Sequence, residues 1–198
     1  MHRKINLLPV PIFMGIAFLV LFSSCEGDYT PKPRGFQRFV FEPKTYVPYT
    51  NKCGFSFDLP DYALVVPDYL SGQIHDCWYN IYYKPFNATL HLSYNPIRNN
   101  AEYIKLSEDA RTLVYKHTVK ADEIYETYIE NAHVKGMVYE LSGNTATSFQ
   151  FYVTDSTKNY IRGALYFNVQ TNTDSVAPVL AYLEKDIYKM IETLRWTK

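Results

Sequence analysis

The stretch KGMVYELSGNTATSFQFYVTDSTKNYIRGALYFNVQ, residues 135–170, decides the fold class, because it has the pattern of three consecutive strands. Apolar and polar side chains alternate along each strand segment, and a period of two places one set on a buried face and the other toward water. Gly143 and Asn144 supply the first turn, and the run DSTKN at residues 155–159 supplies the second, with Asp155 closing it through local backbone N–H groups. The stretch therefore predicts an antiparallel meander.

Strand patterns also precede the meander. Residues 55–59 and 62–66 predict two strands, and the runs CWYNIYY and ATLHLSY, joined through residues 84–87, predict a hairpin. Asn99 and Glu102 have the spacing of a capping box at the start of a helix that is predicted to end near Lys120. Residues 124–129 are predicted to return to strand.

A second helix is predicted after the meander, with Asp174 or Ser175 as its cap and Pro178 in its first turn. Its apolar face consists of Leu180, Leu183, Ile187, Met190, Ile191 and Leu194. The order of strands, helix, strands and helix predicts an α+β fold: one antiparallel sheet of about six to eight strands with two main helices packed on it.

Residues 1–24 predict a lipoprotein signal peptide. A basic start, an apolar run at residues 7–22 and two serines describe a secretory signal. Cys25 follows the serines directly, as in bacterial lipoproteins, where this sulfur is acylated and the cysteine becomes the mature N-terminus. The alternative is an uncleaved anchor helix, but the run is short for a membrane span and contains Pro9 and Pro11.

The mature chain divides into an acylated, proline-rich tether at residues 25–50 and a single α+β domain at residues 51–198. The far half of the tether contains aromatic residues and is expected to dock on the domain: Phe36, Phe39, Phe41 and Tyr46. Loss of Arg3 and Lys4 with the signal leaves 18 basic and 20 acidic residues, a formal charge of −2. This balance argues against nucleic acid or anionic lipid as the main partner.

Cys53 and Cys77 remain once Cys25 is assigned to lipid. Two cysteines in an exported domain predict one disulfide. Free or metal-binding thiols are the alternative, although no second cysteine or histidine lies at ligand spacing beside either residue.

Sequence motifs for catalysis, cofactors or metals do not occur in the chain: there is no HExxH, CxxC, GxSxG or phosphate-loop pattern. His117, Lys120 and Asp122 cluster at the end of the first helix, where cations suit the helix dipole. His117 with Asp122 is the one pair that a hydrolase hypothesis would examine. We expect no catalytic residue, no cofactor and no metal.

The outward side chains of the meander predict a water-facing interaction face that is rich in tyrosine and carries one arginine, consisting of Gln150, Tyr152, Tyr160, Arg162, Tyr166 and Asn168. Tyrosine and arginine dominate the energetics of many protein interfaces. The alternatives are an ordinary exposed sheet face, or a face covered by the tether or a helix.

Several segments together resemble the GldD family of gliding-motility lipoproteins of the Bacteroidetes. They are Cys25, Pro31-Lys32-Pro33, Cys53 with Cys77-Trp78, YKHTVKADEI (115–124), GNTATSFQFYVTDS (143–156), GALYF (163–167) and DIYKMIETLRW (186–196). The resemblance covers essentially the whole chain, and only Cys25 and the two paired cysteines carry over as sites. The order of elements also resembles the Mog1/PsbP-like α/β sandwich, a likeness of fold alone.

The resemblance implies a non-enzymatic envelope lipoprotein needed for gliding motility and for export through the associated type IX secretion system. Its implied partners are other envelope proteins of that machinery and, through the Cys25 lipid, a membrane. Glu26 and Asp28 match a surface-export signal poorly, which favours the periplasmic face. The alternative function is a small-ligand or glycan-binding lipoprotein whose cleft is lined by Trp78, Tyr82 and Tyr83.

Overall fold

The structure of the chain is a computed structural model that describes residues 40–69, 76–168 and 173–197. The predicted signal peptide, Cys25 and the first part of the tether, including Phe36 and Phe39, lie outside these ranges. Lipidation at Cys25 therefore stays a prediction.

The strands in chain order are β1 (Tyr46–Thr50), β2 (Phe55–Pro60), β3 (Ala63–Pro67), β4 (Trp78–Tyr83), β5 (Ala88–Pro96), β6 (Ala121–Glu130), β7 (Lys135–Gly143), β8 (Thr147–Thr154), β9 (Asn159–Phe167) and β10 (Arg195–Trp196). The helices are α1 (Asn100–Tyr115) and α2 (Thr173–Thr193), and a 3-10 turn, Lys84–Phe86, joins β4 to β5. The α+β class predicted from the sequence is confirmed.

The predicted meander is present as β7, β8 and β9, which pair antiparallel in sequence order. Its first turn needs a glycine, because Gly143 has a φ of +96° and a Cβ there would lie 2.7 Å from the backbone nitrogen of Asp122. In the second turn, Asp155 Oδ1 accepts hydrogen bonds from the backbone N–H groups of residues 157–159. The local turn chemistry thus sets the register of the meander.

The strands form two sheets among the described residues rather than the single sheet that the sequence predicted. The larger sheet has seven antiparallel strands in the order β3-β4-β5-β9-β8-β7-β6, and the smaller has three in the order β1-β2-β10. The small sheet was missed because β1 lies in the segment assigned to the tether. In addition, β10 has only two residues, too few to show a period.

Different elements pack on the two faces of the seven-stranded sheet. One face packs against α2 and β2, and this main core includes Leu90, Phe149, Leu165 and Ile187. The opposite face carries a smaller core under α1 that includes Tyr160. Strand β8 is an interior strand between β9 and β7, and all eight of its residues are buried.

The helices follow their predicted signals with two differences. Asn99 Oδ1 accepts a hydrogen bond from the backbone N–H of Glu102 at 2.9 Å, as a capping box requires, but α1 ends at Tyr115 and residues 116–120 form turns. Helix α2 begins at Thr173, so Asp174 and Ser175 lie inside the helix rather than at its cap, and Pro178 lies beyond its first turn. No described helix combines the length and apolar character needed to cross a bilayer.

A disulfide ties the small sheet to the seven-stranded sheet. Cys53, just before β2, and Cys77, just before β4, are joined by a disulfide with Cα atoms 5.8 Å apart. Strand β1 pairs along its whole length with β2. The folded domain therefore begins before residue 51, and the predicted boundary at residue 50 was placed too late, since the prolines that suggested a tether are compatible with an edge strand.

Candidate functional site

Helix α1 covers half of the predicted interaction face. Gln150, Tyr152 and Tyr160 are buried, the two tyrosine rings stack with centroids 5.2 Å apart, and Tyr160 Oη donates a hydrogen bond to the Leu106 carbonyl at 3.0 Å. The prediction that these three side chains face water was wrong, because the alternation shows that they share a face but not what packs on it. Their role in binding a partner stays a prediction.

The rest of the face is open. Arg162 and Tyr166 are half-buried and Asn168 is exposed. Arg162 and Tyr166 line a cleft of about 340 Å³ over β4, β5 and β9, together with Asp68, Trp78, Asn80, His91 and Ser93. We refer to this as the Arg162 cleft. Another groove, of about 540 Å³, runs beside α1 and is lined by residues of that helix, including Arg111 and Tyr115, and by Lys116 just after it.

A chain of hydrogen bonds forms one wall of the Arg162 cleft. The buried Asn80 donates from Nδ2 to Asp68 Oδ1 at 3.3 Å, and its Oδ1 lies 2.6 Å from His91 Nδ1. Because the amide oxygen can only accept, Nδ1 of His91 carries the proton and Nε2 is the acceptor of the neutral ring. Partial burial lowers the pKa of His91, and the Asp68 carboxylate opposes that shift. The imidazole also packs edge-on against Tyr166, with centroids 5.3 Å apart.

Arg162 is the cation of the cleft. Its Nη2 donates a hydrogen bond to Gln150 Oε1 at 2.5 Å. The ion pairs among the described residues involve Lys44, Lys52, Arg111 and Lys189, so no described carboxylate pairs with Arg162. Burial lowers the pKa of its guanidinium. The buried Nε2 of Gln150, the residue that accepts from Arg162, has no hydrogen-bond partner among the described residues.

His117 and Asp122, the pair that a hydrolase would use, do not form a site together. Burial and the nearby Arg162 lower the pKa of His117, but Asp122 is exposed and no hydrogen bond joins these two described residues.

Of the three aromatic residues expected in a ligand cleft, Trp78 lines the Arg162 cleft and Tyr82 is half-buried outside its lining. Tyr83 is fully buried in the main core, because β4 turns its alternate side chains to opposite faces.

A second polar cluster, which sequence reasoning missed, lies on the other side of the sheet. Asp186 of α2 is fully buried, and its Oδ1 accepts from Lys44 Nζ at 2.6 Å and from Tyr46 Oη at 2.8 Å. Its Oδ2 accepts from Tyr62 Oη. We call these four residues the Asp186 cluster.

The Asp186 cluster holds the N-terminal end of the described chain on α2. Lys44 Nζ also lies 3.7 Å from the ring centroid of Tyr182 and donates to its carbonyl oxygen, and Phe41 stacks on the same ring at 4.4 Å. Burial lowers the pKa of Lys44, while the hydrogen bond to Asp186 opposes that shift. The sequence signal for the cluster is a lone acid on the apolar stripe of α2, between Leu183 and Met190, at a helical spacing that turns it inward.

Among solved structures, the chain is similar to cyanobacterial PsbP (CyanoP) from Synechocystis sp. PCC 6803, with a TM-score of 0.49 and 9% identity over 81% of this chain and 97% of that chain. No curated protein gives a significant match. A family model described as "Gliding motility lipoprotein GldD" matches residues 26–196, which includes every described element. The chain therefore belongs to the GldD family of gliding motility lipoproteins.

Proposed function

We propose that the protein is a non-enzymatic lipoprotein of the cell envelope that acts by protein–protein interaction in gliding motility and in the associated type IX protein secretion machinery. On this proposal, acyl chains on Cys25 hold the domain at a membrane with its folded part facing the periplasm. Anchoring raises the effective concentration of the domain near other membrane-bound components.

The observation that carries this proposal is the Asp186 cluster. The segment leading from Cys25 to the domain contains Lys44, and Lys44 is bonded to the buried carboxylate of α2. The part of this segment that the structure describes is therefore held on the domain from Lys44 onward. This supports a role in which a folded domain, attached through Cys25, meets the partners.

The test is an in-frame deletion in the native bacterium, scored for both colony spreading and the proteins released into the medium. We expect both to be lost and both to be restored by the intact gene. A form exported by a signal that is cleaved without acylation, and a Cys25→Ser variant, are expected to accumulate as folded protein and to restore neither phenotype. Full activity from the unacylated form would contradict the anchoring role, and normal secretion in the deletion strain would contradict the role in secretion.

Cross-linking tests the interaction itself. A photoreactive residue at Tyr125 or Tyr128, which are 54% and 58% exposed on the edge strand β6, is expected to capture envelope proteins in cells that spread. The buried Tyr160 provides the matched negative control. Equal capture from the buried and exposed positions would show that the captured proteins are nonspecific.

Binding of a small ligand or glycan is the second candidate function, and the Arg162 cleft is the observation that favours it. Trp78, Asn80, His91 and Tyr166 converge there on one concave surface. A concave site with an aromatic surface and a few oriented polar groups is the usual form of a small-molecule site. A loss of motility caused by filling this cleft, with the lipid anchor intact, would support the second function over simple docking.

A further inference from the structure

We propose that the Arg162 cleft binds an acidic sugar through its carboxylate, an inference that rests on the second of the proposed functions. Arg162 is the starting point, because it is a half-buried guanidinium with five N–H donors, of which one hydrogen bond is accounted for by Gln150. A cation removed from water needs a compensating anion or a set of hydrogen bonds.

The chain itself provides no such anion among the described residues. The four described ion pairs leave Arg162 out. The sequence segments 70–75 (LSGQIH) and 169–172 (VQTN), which follow β3 and β9 beyond their described ends, contain no Asp or Glu. A carboxylate from a ligand would match the planar fork of the guanidinium.

The charges that line the cleft favour a ligand with a single negative charge over a ligand with a phosphate group. Among the described residues of the lining, Arg162 is the one cation, and partial burial lowers the pKa of His91. Asp68 lies in the same lining and is linked to His91 through Asn80. A phosphate dianion would bring a second negative charge toward this carboxylate, and the described lining offers no second cation to balance it.

The other lining groups suit a sugar ring. Trp78 and Tyr166 supply aromatic surface, against which the C–H face of a pyranose packs. His91 Nε2 and the Ser93 hydroxyl are hydrogen-bonding groups for sugar hydroxyls. The volume of about 340 Å³ is at the small end of ligand sites, in keeping with one sugar unit rather than a long oligosaccharide.

The experiment uses the full chain purified in detergent and titrated calorimetrically with D-glucuronate. Three comparison ligands each change one feature. D-Glucose lacks the carboxylate, acetate lacks the sugar ring, and glucose 6-phosphate carries a phosphate dianion in place of a single negative charge. We expect saturable binding of glucuronate, and binding at least about tenfold weaker for each of the three others, because a charge-assisted bidentate contact or the ring contacts are lost. No saturable binding of glucuronate, or equal binding of glucose or acetate, would overturn the proposal.

Substitutions at Arg162 test whether glucuronate binds in the cleft. Arg162→Gln is expected to weaken glucuronate binding by at least about tenfold, and Arg162→Lys by less, since Lys keeps the charge but not the fork. Arg98→Gln, at an exposed arginine outside the cleft, is the matched control and is expected to leave binding unchanged. Unchanged binding in a folded Arg162→Gln protein would contradict the assignment.

A chemical measurement on the unaltered protein serves if Arg162→Gln does not fold. Glucuronate is expected to slow the modification of Arg162 by phenylglyoxal, followed by mass spectrometry, and glucose is not. Equal rates with and without glucuronate would overturn the proposal. These results are separable from the motility role, because a folded Arg162→Gln strain that loses binding but still spreads leaves the docking function standing.

Discussion

Lys44 and Asp186 form a buried ion pair across 142 residues of sequence, with Nζ 2.6 Å from Oδ1 and the aspartate side chain fully excluded from solvent. Tyr46 and Tyr62 donate to the same carboxylate. Three side chains, from Lys44 before β1, Tyr46 at the start of β1 and Tyr62 before β3, therefore depend on one acid of α2.

Replacing Asp186 with Ala is expected to lower the free energy of unfolding by about 3 kcal/mol or more, because Lys44 and two tyrosine hydroxyls lose their acceptor in a buried site. The double variant Lys44→Met/Asp186→Leu is expected to recover part of that loss, since it removes both charges together. Urea denaturation measures each difference. Asp109→Ala, at an exposed acid of α1, is the control, and an equal effect there would contradict a special role for Asp186.

The disulfide is expected to stabilise the domain through loop closure. Cys53 and Cys77 are 24 residues apart, so their removal as Cys53→Ser/Cys77→Ser is expected to cost about 3 kcal/mol in the chain-entropy account. The melting temperature with and without a reducing agent tests this. The reductant should lower the melting temperature of the natural protein and leave that of the double variant unchanged, and a shift in both would point to a cause other than this bond.

Gly163 is expected to tolerate no side chain beside Phe151. A Cβ at this position would lie 2.2 Å from Phe151 Cε1, and that ring is buried in the main core. Gly163→Ala should therefore cost roughly 1–3 kcal/mol of unfolding free energy through overpacking. Adding Phe151→Leu should return part of the loss in the double variant. Strict additivity of the two changes would show that the predicted contact is not the cause.

Gly136 is the matched comparison for that contact. A Cβ there would lie 1.9 Å from the backbone oxygen of Tyr152. Because a backbone carbonyl in an interior strand cannot move aside as a side chain can, Gly136→Ala is expected to be the more destabilising of the two alanine variants. No second substitution of a side chain should relieve it.

Stability is expected to fall in alkaline solution. Burial raises the pKa of Tyr49 to about 12, and burial also raises the pKa of Tyr83 and Tyr160 well above the usual tyrosine value. Above pH of about 10 the unfolded chain loses these protons while the folded domain keeps them, so the stabilisation is complete below that pH and is lost as the pH rises. Urea denaturation between pH 8 and about 12 measures the slope.

Tyr83→Phe is the variant that tests this explanation. It removes one titrating group, and it also removes a buried hydroxyl that has no hydrogen-bond partner among the described residues. We therefore expect a shallower alkaline slope and no loss of stability at neutral pH. Tyr69→Phe, at a tyrosine that is 66% exposed, is the control. A steeper or unchanged slope in Tyr83→Phe would contradict the burial argument.

The elements of the fold were largely predictable because their signals are local. Alternation in residues 135–170, the turn chemistry of Asp155 and the cap at Asn99 depend on a few neighbouring residues, and each corresponds to an observed strand, turn or helix start. The apolar stripe of α2 was predicted for the same reason, and Leu183, Ile187 and Met190 are buried in the main core. Family membership also followed from contiguous segments of sequence.

The sites depended on contacts that local patterns do not contain. The alternation in β8 and β9 placed Tyr160 and Arg162 on one face, but only the packing of α1 buries Tyr160 and leaves Arg162 beside an open cleft. Likewise, the sequence by itself determined that Asp186 lies on an apolar helix face. The tertiary structure decided that Lys44 reaches it, because burial and ion pairing depend on which distant segments meet.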